Sequence, residues 1–409
     1  MLDVKKIKQD FAMFQNHPDM IYLDNSATTF KPAAVVQAIA KYNQEESVNI
    51  ERGDYLLSHE VSTAYENARA TTARFINAKQ AEEVVFTSGA TDSLNMVAYG
   101  LMDKLHEDDV ILLNYAEHAS NILCWFDIAK QKGCKIDYLP LAKNGKLVLA
   151  DLEAKLQQHQ GRVKIVSMAY ISNVLGYKQD IKAICQMVHQ YHALMIVDGA
   201  QSVPHIKTDV QDLDVDFLAF SGHKMCGPTG IGVLYGKFAL LDDLKPLRYG
   251  GGANARFDIA GNVILQTTPH KFEAGTPNIA GALGLEAAIK YLENIGMDKI
   301  EAYEEQLKKY MVSKISALPN IHCYNADATT GILAFNAHDV FSQDAGSYLN
   351  TKNICIRSGN HCAKILHNLI GTDQTCRASL YFYNTYEDID AFVEACKDLN
   401  VENCIDIFF

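Results

Sequence analysis

The 409-residue sequence has no apolar run approaching the length of a membrane-spanning helix. Its first stretch, MLDVKKIKQDFAMFQ, mixes charges among Leu2, Ile7, Phe11 and Phe14 at helical spacing, and lacks the unbroken apolar core of an export signal. An excess of positive charge is missing too. Against 37 Lys and Arg stand 49 Asp and Glu, a net charge of -12, which argues against general affinity for nucleic acid or for an anionic membrane. None of the 10 cysteines forms a C-x-x-C pair, so no metal site is expected. Without an export signal, those cysteines are expected to be reduced thiols in a cytoplasm rather than a disulfide framework. Internal repeats and low-complexity segments are also absent.

What is present suits a globular protein of two lobes: 48% hydrophobic residues, 21% charged residues, and a length beyond a single core. From about residue 80, short β-rich runs alternate with helical stretches. EEVVFTS, DVILLNY, VKIVSMAY, ALMIVDGA, DFLAFS and GIGVLYG read as strands of one sheet, most of them apolar on both faces. That pattern predicts an α/β fold with a mostly parallel sheet covered on both sides. Ligands of such sheets bind beyond the carboxyl ends of the strands, where TSGATDS, AEHAS, SNVLG, DGAQS and SGHK collect the polar residues. Past Gly275, long helical patterns lead to short strands, TGILAFNAH and ICIRSG, and a final helix, EDIDAFVEACKDL. The predicted division is a large lobe over 17–290 and a small lobe of 1–16 and 291–409.

Three strand ends carry the chemistry. In VVFTSGATDSLNMV a strand enters a small-residue turn and then a helix, so the N–H groups of Ala90 and Thr91 can cradle a phosphate; the same turn also suits a plain helix cap. Asp198 ends ALMIVD, where a carboxylate needs a cationic partner or hydrogen bonds, or caps the next turn. Lys224 lies in SGHKMCGPTGIG between two apolar runs; it is either a solvated loop residue or a partly desolvated amine able to form a Schiff base with a carbonyl. Asp198 and Lys224 are 224 − 198 = 26 residues apart, room for one helix and one strand to bring them to neighbouring strand ends. Together these groups are what pyridoxal phosphate requires: a partner for the ring nitrogen, a phosphate anchor and an amine for the aldehyde.

The sequence resembles the class V aminotransferase-like pyridoxal phosphate enzymes of the type I fold, and within them the group II, SUF-type cysteine desulfurases. IYLDNSATTFKP, FTSGATDSLNMVA, NYAEHASN, DGAQSVPH, SGHKMCGPTGIG, FEAGTPN and RSGNHCA carry the likeness over nearly the whole chain. The resemblance implies a seven-stranded-type sheet, a smaller α+β lobe and a homodimer. It implies that Lys224 holds the cofactor, Asp198 keeps the ring nitrogen protonated, Gln201 meets the phenolic oxygen and His118 stacks on the ring. Thr91, Ser221 and His223 would bind the phosphate, with Thr276 reaching it from the second subunit. Cys362, beside His361 and near Arg357 and Lys364, whose positive charges favour a thiolate, would be the nucleophile that accepts sulfur from L-cysteine. Cys226 is its rival by nearness to Lys224, while Cys185 and Cys396 read as core residues. Arg377 would grip the substrate carboxylate by a bidentate pair, with Arg357 and Asn173 also on the substrate. The implied product is a persulfide passed to a SUF-type acceptor for iron–sulfur cluster assembly, with L-selenocysteine as an alternative substrate.

Departures from the family pattern lie at the mouth of the expected site. Asn360 replaces the first histidine of a usual R-x-G-HHCA, and Lys364-Ile365 replaces Gln-Pro. Glu51 and Tyr55 replace two histidines of HRG-x-H, with Arg52 kept. Related readings are selenocysteine lyase, transamination or epimerisation without a cysteine, and a non-catalytic scaffold on the same fold.

Overall fold

A sheet of seven strands forms the centre of the computed structural model, which describes residues 2–51, 53–142 and 145–406. The strands are β1 (Val84–Thr87), β2 (Val110–Asn114), β3 (Lys135–Leu139), β4 (Val163–Ala169), β5 (Leu194–Asp198), β6 (Phe217–Ser221) and β7 (Gly232–Gly236). Their spatial order is β1-β7-β6-β5-β4-β2-β3. Every residue of β1, β2, β6 and β7 is buried. Alternate side chains enter two different cores: Val110 and Leu112 pack on one face, Ile111 and Leu113 on the other. Burial on both faces is why these runs read as nearly continuous apolar strings.

The pairs β2–β3, β2–β4, β4–β5 and β5–β6 are parallel, as expected for a mostly parallel sheet. β7 is the exception, antiparallel to both β6 and β1. The stretch between β6 and β7 contains only the short turn Gly222–Lys224 and no crossover helix, so the chain returns beside β6 in the opposite direction. β3, from KIDYL, was not among the predicted strands. It lies at the sheet edge with Lys135 exposed and the next three residues half-buried, so it lacks the apolar signature of its neighbours.

Helices α1 (Ala90–Leu101) and α2 (Leu123–Lys132) follow β1 and β2. Helices α3 (Ile279–Ile295) and α4 (Met297–Ile315) lead to a second sheet, turning at Gly296, whose φ of 97° suits glycine. This antiparallel sheet comprises β8 (Ile321–Cys323), β9 (Ile332–Ala337), β10 (Arg357–Gly359) and β11 (Thr375–Ser379), ordered β8-β9-β11-β10. Between β10 and β11 lies the short helix α5 (Lys364–Leu369). Residue 290 falls inside α3. The N-terminal segment reaches the second sheet's side of the molecule: Lys8 Nζ lies 3.2 Å from Asp388 Oδ2, and the Phe11 ring packs on Tyr383 and Tyr291. The two-lobe division at 290 stands as a proposal. No helix among the described residues is long and apolar enough to cross a membrane.

Candidate active site

The carboxyl ends of the parallel strands open into a cavity of about 240 Å³. Every residue expected at the site lines it except Thr276.

At the β1–α1 turn, Ala90 N donates to Ser221 Oγ at 2.8 Å, so one of the two amides expected to face a phosphate already has a partner. Thr91 Oγ1 lies 2.7 Å from Ser120 Oγ, which is in turn 3.0 Å from His118 Nδ1. The turn can approach β7 closely because a Cβ on Gly232 would come within 2.4 Å of Gly89 Cα. His223 is neutral at ordinary pH: burial first, then the charges of Lys224 and Lys31, push its pKa down to about 4. It therefore offers hydrogen bonds rather than charge.

Asp198, the last residue of β5, is buried, and its Oδ1 accepts from Ala200 N at 2.9 Å. Gln201 Nε2 donates to the Ser26 carbonyl at 2.8 Å. Lys224 stands in the turn Gly222–Lys224 after β6 and makes no hydrogen bond among the described residues. Burial pushes its pKa down to about 8; Asp198 opposes the shift, while Arg377 and Arg357 add to it. His118 is also pushed down, mainly by burial. Because its Nδ1 accepts from Ser120 N at 3.1 Å, the proton of the neutral ring sits on Nε2.

The second sheet supplies the other wall. Arg357 of β10 and Arg377 of β11 are directly opposed across the strand pair. Like charges so placed repel, and one carboxylate offsets them: Arg377 donates to Asp24 Oδ1 at 3.0 Å and to the Asn173 carbonyl at 3.0 Å. These two bonds use one N–H of each Nη, and Arg377 Nε is buried without a partner, so N–H groups of the guanidinium remain for a ligand. Cys362 is exposed, in the turn between β10 and α5. Its carbonyl accepts from Ala119 N at 2.7 Å, and the His361 carbonyl accepts from Asn173 Nδ2 at 2.8 Å. These bonds tie the cysteine turn to the large sheet's loops.

Cys226, the rival thiol by nearness to Lys224, is placed differently from Cys362. It is fully buried, burial pushes its pKa up to about 12, and it does not line the cavity. Cys185 and Cys396 are buried as expected. Thr276 lines a separate depression with Arg248 and Glu273 and does not line this cavity within one chain. Of the departing residues, Asn360 is exposed but turns its Oδ1 back to accept from Cys362 N at 3.2 Å, and Lys364 is exposed at the start of α5. Glu51 Oε1 lies 3.4 Å from His270 Nδ1, Tyr55 is exposed, and Arg52 lies outside the described residues. Asp24, Ser26 and Ser120 belong to the cavity's polar network although no role was read for them; their only signal was membership of the strings IYLDNSATT and AEHAS.

Six buried side-chain atoms among the described residues lack a hydrogen-bond partner. Four of them, Ser26 Oγ, Gln201 Oε1, His361 Nδ1 and Arg377 Nε, belong to residues lining this cavity. Buried polar atoms are ordinarily satisfied, so the cavity suits a ligand rich in polar groups. A carboxylate, a free amine pushed toward neutrality and a small-residue turn at a helix start fit the ring nitrogen, aldehyde and phosphate of pyridoxal phosphate.

The family described as Aminotransferase class-V matches residues 21–392. A protein of Halalkalibacterium halodurans named "Probable cysteine desulfurase" is 42% identical over 97% of both chains. One of the same name from Staphylococcus epidermidis is 40% identical over 97% of this chain and 96% of its own. Among solved structures, a cysteine desulfurase of Thermococcus onnurineus NA1 superposes with a TM-score of 0.92 at 35% identity, covering 97% of this chain and 98% of that one. One from Escherichia coli, in an S-sulfonic acid form, gives 0.90 at 34% identity over 100% and 99%. With its sheet order, its cavity and these likenesses in agreement, the chain belongs to the class-V aminotransferase family.

Proposed function

We propose that the protein is an L-cysteine desulfurase that converts L-cysteine and the Cys362 thiol to L-alanine and a Cys362 persulfide. The observation that carries this reading is Cys362: of ten unpaired cysteines it alone is exposed, at the rim of the cavity shared by Lys224 and Asp198. The full-length relatives named as cysteine desulfurases support the same reading.

Lys224, Asp198, Gln201, Thr91, Ser221 and His223 would hold pyridoxal phosphate, which would supply an electron sink that makes the substrate's Cα proton labile. Lys224, an amine whose pKa burial pushes down in the cofactor-free chain, is the base that would take that proton once the substrate amine has displaced it from the cofactor. Arg377 Nε and the Arg357 guanidinium orient the substrate carboxylate, and Asp24 keeps the Arg377 group in one position. The Cys362 sulfur attacks the substrate sulfur. An S–S bond forms as the Cβ–S bond breaks; the electron pair stays with Cβ, which takes up a proton equivalent to the one the Cys362 thiol gives up, Lys224 returns its proton to Cα, and alanine leaves. His118, with its proton on Nε2, is the candidate to relay a proton between these groups.

Several finer parts belong to the same proposal. A homodimer brings Thr276 of a second copy to the phosphate. The persulfide passes to an acceptor protein of the SUF type for iron–sulfur cluster assembly, and the exposed Cys362 turn suits such a handover. Unpaired cysteines suit the cytoplasm.

The test is incubation of purified protein with L-cysteine, with and without dithiothreitol, measuring alanine, sulfide and sulfur added to Cys362. Alanine and a persulfide on the Cys362 peptide are expected. Cys362→Ala should keep the visible absorbance of bound cofactor and lose alanine production. It should lose less activity on L-selenocysteine, because a selenol leaves carbon more readily. Wild-type alanine production by Cys362→Ala would sink the mechanism.

A further inference from the structure

A buried chain of hydrogen bonds links the residue before Cys362 to the residue after it. His361, His367 and Thr375 are 3%, 0% and 0% exposed. His361 Nε2 lies 3.0 Å from both the carbonyl and Oγ1 of Thr375. His367 Nε2 lies 3.2 Å from the same Oγ1, and His367 Nδ1 lies 3.0 Å from the Ala363 carbonyl. The partners assign the protons. A carbonyl accepts only, so His367 carries its proton on Nδ1 and His361 carries its own on Nε2. His367 Nε2 is then an acceptor, and the Thr375 hydroxyl donates to it while accepting from His361. Each link thus has one donor and one acceptor. Burial pushes both imidazoles down, His361 to about 2, so both stay neutral, as this pattern requires.

The backbone between the two ends is strained. His361 and Cys362 are consecutive non-glycine residues at φ 49° and 59°, a conformation that persists only where surrounding bonds enforce it. The register aligns Thr375 with Gly359, directly beneath the turn, so the chain can brace it from the small sheet. On the opposite side, Ala119 N and Asn173 Nδ2 hold the Cys362 and His361 carbonyls.

We propose that Thr375 and His367, acting through His361 and Ala363, are positioning residues that clamp the Cys362 turn in its left-handed conformation and so aim the sulfur at the substrate. The proposal rests on Cys362 as the sulfur-accepting nucleophile. The clamp itself is a property of the chain that can be measured without turnover.

The experiment uses the cofactor-loaded protein. Thr375→Val removes the hydroxyl but keeps the side-chain shape and suits a strand. His367→Leu removes the other link, and Thr375→Ser restores the hydroxyl. Amide hydrogen exchange across 357–369 is expected to speed up by about tenfold or more in Thr375→Val and His367→Leu, with other segments unchanged. Alanine kcat should fall by about 10- to 100-fold, with KM for L-cysteine within about twofold, since the loss is of aim rather than of substrate binding. Thr375→Ser should recover both readouts. Visible absorbance and melting temperature show that each variant is folded and loaded. Unchanged exchange across 357–369 in both Thr375→Val and His367→Leu would overturn the clamp, as would Thr375→Ser behaving like Thr375→Val. If the wild type made no alanine while these exchange changes appeared, the desulfurase reading would fail and the clamp would stand.

Discussion

Replacing Lys224 with methionine should abolish turnover and, in the cofactor-free protein at pH 7, raise stability. The physical reason is desolvation of the half-buried amine, which faces the cavity without a hydrogen bond and has its pKa pushed from 10.5 down to about 8. At about 1.36 kcal/mol per pKa unit, holding the proton there costs roughly 3 kcal/mol of folding free energy below pH 8. Because the folded pKa lies below the unfolded one, the unfolded chain binds more protons between the two values. Wild-type stability contributed by this group therefore rises as pH climbs from about 8 to about 10.4. Methionine fills a similar volume and carries no charge, so the variant's advantage should be full below pH 8 and fade above it. At roughly 2.1 cal/mol/K per residue, a chain of this length unfolds with an entropy near 0.9 kcal/mol/K, so 3 kcal/mol corresponds to about 3 to 4 °C in melting temperature. Thermal melts of cofactor-free wild type and Lys224→Met across pH 6.5 to about 9.5 measure it. A gap that does not change with pH, or a variant that melts lower than wild type at pH 7, would refute the argument.

Lys364→Ala should reduce stimulation by a protein acceptor several-fold and alanine production with dithiothreitol less than that, since Lys364 is exposed two residues from Cys362. Asn360→Ala should lower both activities, because its Oδ1 accepts from Cys362 N; steady-state rates with and without acceptor separate the two. Glu273→Gln should cost about 1 to 3 kcal/mol, since it removes the buried partner 2.6 Å from Arg69, 1% exposed, while Glu66 still pairs with the guanidinium. Burial alone would raise the Glu273 pKa, but the Arg69 charge and hydrogen bonds outweigh it and hold it below the usual carboxylate range. That stabilisation is present above the unfolded value of about 4.3 and is lost as pH falls through the folded pKa. The gap between wild type and Glu273→Gln should therefore close in acid, which urea titrations across pH 3 to about 7 would measure.

Asp198 and Lys224 were legible because each ends an apolar run buried on both faces, and a charged residue there needs a reason of its own. β3 was missed because an edge strand is half solvated and its KIDYL alternates like many loops. The reversed direction of β7 was not read either, although the lack of a helix between SGHK and GIGVLYG implied it. Sequence spacing alone left Cys226 and Cys362 both in play, since each sits among flexible, polar neighbours. Burial separates them: one thiol is sealed in the core and the other is open to the cavity rim. The Arg377–Asp24 pair and the His361–Thr375–His367 chain had no local signal at all, because their partners come from distant segments that meet only when the second sheet packs over the strand ends. By itself, then, the sequence determined the strand pattern, the polar groups at the strand ends and a short list of candidate nucleophiles, since periodicity and composition report burial and turns within a few residues; the cofactor roles of those groups came from the family resemblance. Tertiary structure decided which thiol is exposed, which guanidinium atom is free and what holds the cysteine turn, because those depend on hydrogen bonds and solvent access between segments far apart in the chain.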